Sequence, residues 1–309
     1  MTLPRSRDST WIALAIAVAS TFLLYHILNF FVFADDIGTG NTTNSSTSNF
    51  FDRYPTLITP ARWTLLDSGL IFLFQIGWIS HVLVNILRSS NGEPLYKSPE
   101  IVSDIFLSLF TLNVMLNIIL LIMSHNGYQV VCLALWGLIT ATLCVCLMEF
   151  YLRILRNVKE MATKRILDLL LFRLLLQNGV SMYTTWCVIA TLINLTIVLV
   201  YSLGVSQSAA GVISLSFLII LFLVFVGLDL CHWERYMRYT FTPYLTVIWA
   251  MAGTMLNNWS PSSPPAVFSA IVLVIAAVCF VIKIINTVIK ARRNPLYTLE
   301  ESSTDEQND

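Results

Sequence analysis

The sequence predicts an all-α polytopic membrane bundle of about eight spans, with both termini on the cytosolic side. Three observations carry this reading. Of 309 residues, 56% are AVILMFWYC and only 12% are charged, against roughly 25% charged in a soluble domain. Apolar runs of transmembrane length recur along the whole chain. The basic residues segregate to alternate inter-span segments. Eighteen Lys and Arg balance eighteen Asp and Glu, so nothing resembles the basic footprint of a nucleic-acid-binding surface.

The spans fall at 11–33, 63–86, 101–123, 129–152, 181–203, 209–232, 240–257 and 265–289. Each approaches or exceeds the ~20 residues that cross a ~30 Å hydrocarbon core at 1.5 Å rise. Pro243 lies in the first turn of the seventh, where its missing N–H has no intrahelical partner to lose.

Charge orients the bundle. With residues 1–10 cytosolic, the inner segments hold Arg5, Arg7, Arg88, Lys97, Arg153, Arg156, Lys159, Lys164, Arg165, Arg173, Arg235, Arg238, Lys283, Lys290, Arg292 and Arg293. Only Arg53 and Arg62 fall outside. Positive residues resist translocation, so this asymmetry supports the even span count and the inward ends. Residues 11–289 then form the bundle, and 290–309 an acidic tail predicted to be disordered.

The first span ends in the cleavage-like Val32-Phe33-Ala34. Its apolar core of about 23 residues exceeds the ~7–15 of a signal peptide, which favours a retained anchor. Cleavage would leave the topology of a seven-helix receptor. The outer loop 34–62 carries sequons at Asn41 and Asn44, and a third at Asn258 precedes the last span, with Pro261 just beyond it. All three lie on the outer side, as glycosylation sites of a secretory-pathway or plasma-membrane protein would. Asn194 also begins a sequon but lies within a span.

Residues 153–180 read in two ways: as a cytosolic amphipathic helix lying along the interface, basic residues toward anionic headgroups, or as an extension feeding the fifth span. The tail opens with Asn294-Pro295-Leu296-Tyr297, the NPxY pattern read by endocytic adaptors. Proline ending the last helix explains the same residues without an adaptor.

Polar groups in hydrocarbon are costly, so they are default functional candidates. Asp67 and Gln75 share a helix face, as do Asn113 and Asn117; with Thr191 and Asn194 they could line a polar seam between the second, third and fifth spans. Interhelical hydrogen bonding alone accounts equally for the asparagines. Asp67 could serve an ion- or proton-coupled transporter or pair with Arg62, whereas Asp104, Glu149, Asp229 and Lys283 lie near inner ends and are expected to snorkel. The six cysteines all lie in or beside spans, so no loop disulfide framework exists. The four histidines are scattered, without metal-ligand spacing. No enzyme motif emerges, a non-enzymatic role is expected, and no cofactor is identified. Trp11, Trp63, Trp233 and Trp259 sit at span ends, as an interfacial belt would, and Trp78, Trp136, Trp186 and Trp249 lie deeper.

Two segments carry a family resemblance. Tyr54-Pro55-Thr56-Leu57-Ile58-Thr59-Pro60-Ala61, continuing to Gly69-Leu70-Ile71-Phe72, resembles the opening of tryptophan-rich sensory proteins of the TspO/MBR (translocator protein) type. Ser181-Met182-Tyr183-Thr184-Thr185-Trp186, running on to Asn194, is similar to a second helix start of that family, and Val247 to Gly253 to a third. The chain departs from the pattern at Arg62 and Trp63, and at Ser68 where the family has tryptophan. The resemblance implies a helical bundle, often dimeric, that binds tetrapyrroles or sterols in an aromatic pocket. Carried over, it implies ligand-binding roles for Thr59, Pro60, Ala61, Tyr183, Trp186, Asn194 and Trp249, to which the intramembrane positions of Asp67 and Trp78 add two candidates. The partners so expected are the lipid bilayer, a small hydrophobic ligand, a second copy of the chain and an endocytic adaptor at the tail.

Overall fold

The computed structural model describes residues 4–38, 53–90, 93–97 and 99–296. Asn41, Asn44 and Tyr297 lie outside these. The described residues form an all-α bundle in which seven helices are long and apolar enough to cross a membrane. In chain order they are α1 (Pro4–Gly38), α2 (Leu66–Leu87, entered through the 3-10 turn Arg62–Leu65), α3 (Asp104–His125), α4 (Gln129–Arg156), α6 (Ile166–Ser202), α7 (Gln207–His232) and α10 (Pro264–Arg293). Between them lie the short α5 (Val158–Lys164) and α8 (Glu234–Met237), and α9 (Thr242–Asn258). At 17 residues, α9 is at the lower limit for a perpendicular crossing. Ser89–Ser90 pairs with Glu93–Pro94 in a two-residue antiparallel ribbon.

Local chemistry sets the helix ends. Ser103 accepts from the Phe106 amide at 3.1 Å to cap α3, and Ser206 from Ala209 at 3.3 Å to cap α7, each satisfying an amide with no intrahelical partner. Pro243 and Pro264 start α9 and α10, as the first turn allows. Gly127, at φ 77°, ends α3 with the Gly127 amide on Ser124 O and the Tyr128 amide on Met123 O. That paired closure needs the left-handed backbone that glycine adopts without strain.

The hub is α6, the most buried of the long helices. It contacts α2, α4, α7 and α9; α1 packs on α3, α3 on α4, and α10 on α7 and α9. Small residues allow the closest approach. A Cβ at Gly179 would stand 2.6 Å from Phe74 Cβ, and one at Gly77 3.0 Å from Leu175 Cδ2, so α2 and α6 meet glycine against side chain in both directions.

Three expectations meet a different outcome. The 153–180 segment is not one amphipathic helix. α5 stops at Lys164, and the chain from Ile166 runs on without a break through Ser202. This is the extension feeding the fifth span: Leu169, Phe172 and Leu176 are buried while Leu167, Leu170 and Leu174 are exposed, and Asp168, at 3% exposure, is held by Arg88 and Arg165, both at 2.8 Å, with His81 3.5 Å away. Asp229 and Lys283 do not snorkel. They are buried at 0% and 1% exposure and paired with each other. Trp11 is buried rather than lying in a belt: its indole donates to Val102 O at 2.8 Å and stacks on Tyr96 at 4.5 Å.

Candidate ligand cavity

A cavity of about 430 Å³ opens among α1, α2, α3, α4 and α6, within the 300–1,000 Å³ typical of small-molecule sites. α1 supplies Phe22, Tyr25, His26 and Asn29; α2 supplies Ser68, Gly69, Ile71, Phe72 and Gln75. Phe110, Asn117, Trp136, Tyr183, Trp186 and Ala190 complete most of the wall from the other three helices. Residues 22, 26 and 29 recur at helical spacing, so one face of α1 forms one side of the cavity.

Its polar groups are tied down by the helices that carry them. The Tyr183 hydroxyl donates to Asn113 Oδ1 at 3.1 Å and accepts from Asn117 Nδ2 at 2.8 Å. Asn113 in turn donates to Ile139 O and Thr142 Oγ1 at 2.9 and 2.8 Å, linking α3, α4 and α6. Gln75 Nε2 donates to Gly179 O at 3.2 Å while its Oε1 accepts from the Trp78 indole at 2.5 Å. His26 packs between Phe22 and Phe72, at ring separations of 4.2 and 4.4 Å. Among the described residues the lining contains no Asp, Glu, Lys or Arg. Such a site offers aromatic and aliphatic contact with a few fixed amide and hydroxyl groups, and no counter-charge for a buried ion.

The structure brings together only part of the predicted set. Tyr183 and Trp186 line the cavity. Trp78 stands directly behind its wall, edge-on to Phe106 and Phe110 at 5.6 and 4.9 Å. Asn194 lies further along α6, donating to Ala190 O at 2.9 Å, with its buried Oδ1 left without a partner among the described residues. Asp67 is buried, and its Oδ2 has no hydrogen-bond partner among the described residues, but it is not part of the cavity lining.

Thr59, Pro60, Ala61 and Trp249 form a separate latch. The Ala61 amide donates to Gly253 O at 3.1 Å, Asn257 and Asn258 donate to Thr59 O at 3.1 and 2.8 Å, and the Trp249 indole donates to Thr64 O at 3.1 Å. Trp249 meets Trp63 edge to face at 4.7 Å. These contacts fasten the segment before α2 to α9, on residues that the cavity does not use. The α1 residues were missed by motif reasoning, although their 22, 26, 29 spacing was the available signal. The polar seam exists in altered form: Asn113, Asn117 and Tyr183 join α3 to α6, and Gln75 joins α2 to α6, without Asp67.

Asn258 donates both amide hydrogens, to Thr59 O and to Thr254 O at 2.9 Å. In the tail, Arg238 Nη1 donates to Asn294 O at 2.7 Å, and Leu296, just after Pro295, packs against the bundle.

Fold and cavity together define a multi-pass helical integral membrane protein. Within that class the chain belongs to the TSPO-like protein family, whose model matches residues 15–288. No curated protein and no solved structure matches it significantly.

Proposed function

We propose that this protein binds or moves one small hydrophobic ligand, of the sterol or tetrapyrrole class, in the cavity between α1, α2, α3, α4 and α6, without covalent chemistry. The observation that carries this reading is that Tyr183 and Trp186, singled out by sequence resemblance, meet in one aromatic cavity of about 430 Å³ inside the bundle. A polar floor at Gln75, Asn117 and Tyr183 would orient a single polar group of the ligand, and the aromatic walls would hold its body. Ligand extraction from purified protein with mass spectrometry, repeated on Trp186→Ala, tests it: a co-purifying small molecule that the variant loses supports the reading, and none in the wild type opposes it.

In this reading the bundle has eight spans with both ends cytosolic, α9 being the eighth, and α1 is retained because it forms one side of the site. Glycans on the 34–62 loop place the protein in the secretory pathway or plasma membrane, an adaptor reads Asn294, Pro295 and Tyr297, and two copies associate. Tyr297→Ala leaving surface residence time unchanged rejects the adaptor. A single peak of monomer mass by light scattering in detergent rejects the dimer.

Asp67 favours a second reading. A buried carboxylate oxygen without a partner is costly in hydrocarbon unless it serves a bound ion or proton. Ligand transport into vesicles that is insensitive to a proton gradient, and unchanged by Asp67→Asn, would dispose of coupling.

A further inference from the structure

We propose that the cavity is loaded sideways from the bilayer, through a gap between α1 and α2 at Ser68 and Gly69, and that it admits only uncharged, membrane-dissolved amphiphiles. The inference rests on the cavity being the ligand site, and adds its route and its charge rule.

Ser68 and Gly69 both line the cavity and are both exposed, and at 100° per residue Gly69 sits on α2 between the cavity face and the stripe of Leu66, Leu70 and Leu73. A Cβ built on Gly69 meets no atom within 4 Å, so the missing side chain leaves open space rather than a close helix contact. The rim of that space is apolar. On α2, Leu66, Leu70 and Leu73 are 69%, 46% and 62% exposed, and on α1, Leu23, Ile27 and Phe30 are 61%, 43% and 66% exposed. Side chains of this kind on a spanning helix face acyl chains, not water. An opening framed by them leads to hydrocarbon.

The charge rule follows from the same surfaces. A solute arriving through the gap crosses hydrocarbon and then meets a lining whose described residues carry no Asp, Glu, Lys or Arg, so an ionised group would lose its water and gain no partner there. The amide and hydroxyl groups at Gln75, Asn117 and Tyr183, all in the lining, are suited to one neutral polar group. Ser68, where the resemblance implies a tryptophan, then has a physical meaning: a small residue keeps the gap open.

The test needs no ligand. The full-length protein is reconstituted in vesicles of phosphatidylcholine with dibrominated acyl chains, and Trp186 quenching is taken as the difference between wild type and Trp186→Phe. The expected result is a bromolipid-quenchable Trp186 component that Gly69→Phe removes, while Gly69→Ala, too small to fill the gap, and Ile220→Phe, on the exposed face of α7, retain it. Ser68→Phe gives the same loss and replaces Gly69→Phe if that variant does not accumulate. An unquenched Trp186 in the wild type, or quenching that survives both phenylalanines, overturns the lateral route. Neither outcome depends on whether a ligand co-purifies, so failure of the portal and failure of the ligand reading are separable.

Discussion

Lys283 Nζ donates to Asp229 Oδ1 at 2.5 Å, with both side chains withdrawn from the surface. The second carboxylate oxygen accepts from the Tyr244 hydroxyl at 2.5 Å, and Lys283 also donates to Met237 O at 3.0 Å. One ion pair thus joins α7, α9 and α10. Removing one partner strands a buried charge, which costs ~3–5 kcal/mol, whereas replacing both by apolar residues is often neutral. Lys283→Met is therefore expected to lower the unfolding temperature in detergent sharply, and Lys283→Met with Asp229→Leu to recover most of the loss. A double variant no more stable than the single one would deny the pairing.

The latch makes a second prediction. A methyl group at Gly253 would overlap the Thr64 Cγ2 methyl, and Thr64 cannot turn away freely because its hydroxyl is held by Ala61 O at 2.6 Å. Gly253→Ala should destabilise by about 1–3 kcal/mol, the usual cost of overpacking. Thr64→Ser removes the offending carbon and should restore stability in the Gly253→Ala background. Equal stability of Gly253→Ala and wild type would show that the latch is loose.

Glycans supply a third. A glycan on Asn258 would replace one of the two amide hydrogens that now bind Thr59 O and Thr254 O. Glycosidase treatment should shift the mass of the wild type and of Asn258→Gln equally. The shift should vanish in Asn41→Gln/Asn44→Gln. A shift lost on Asn258→Gln would reverse the assignment, and none in the wild type would remove the glycans altogether.

Most of the helices were legible because transmembrane length and charge asymmetry are properties of composition. The α9 boundary was legible in Pro243. The ion pairs were not. Asp229 and Lys283 are 54 residues apart, and no local pattern distinguishes a charge that snorkels from one that meets a partner on another helix. The 153–180 segment is ambiguous for the same reason: its charges read as an interfacial face, and no local pattern shows that Asp168 is held by Arg88, 80 positions earlier. The site was half legible. Tyr183 and Trp186 were found by resemblance, and Trp249 came with them although it belongs to the latch. Separate segments of one resemblance thus carried residues of two different structural roles. The α1 wall went unseen because a helix read as a membrane anchor was not searched for a face.

Equilibrium binding of a fluorescent sterol to purified wild type, Trp186→Ala and Trp249→Ala distinguishes the cavity from the latch as the ligand site. Saturable binding of the uncharged sterol by the wild type is predicted, weakened about tenfold or more in Trp186→Ala, since an aromatic contact adds about 0.5–1.5 kcal/mol to the apolar area it buries and about 1.4 kcal/mol is tenfold, and unchanged in Trp249→Ala. Binding that survives Trp186→Ala and is lost in Trp249→Ala would contradict the account.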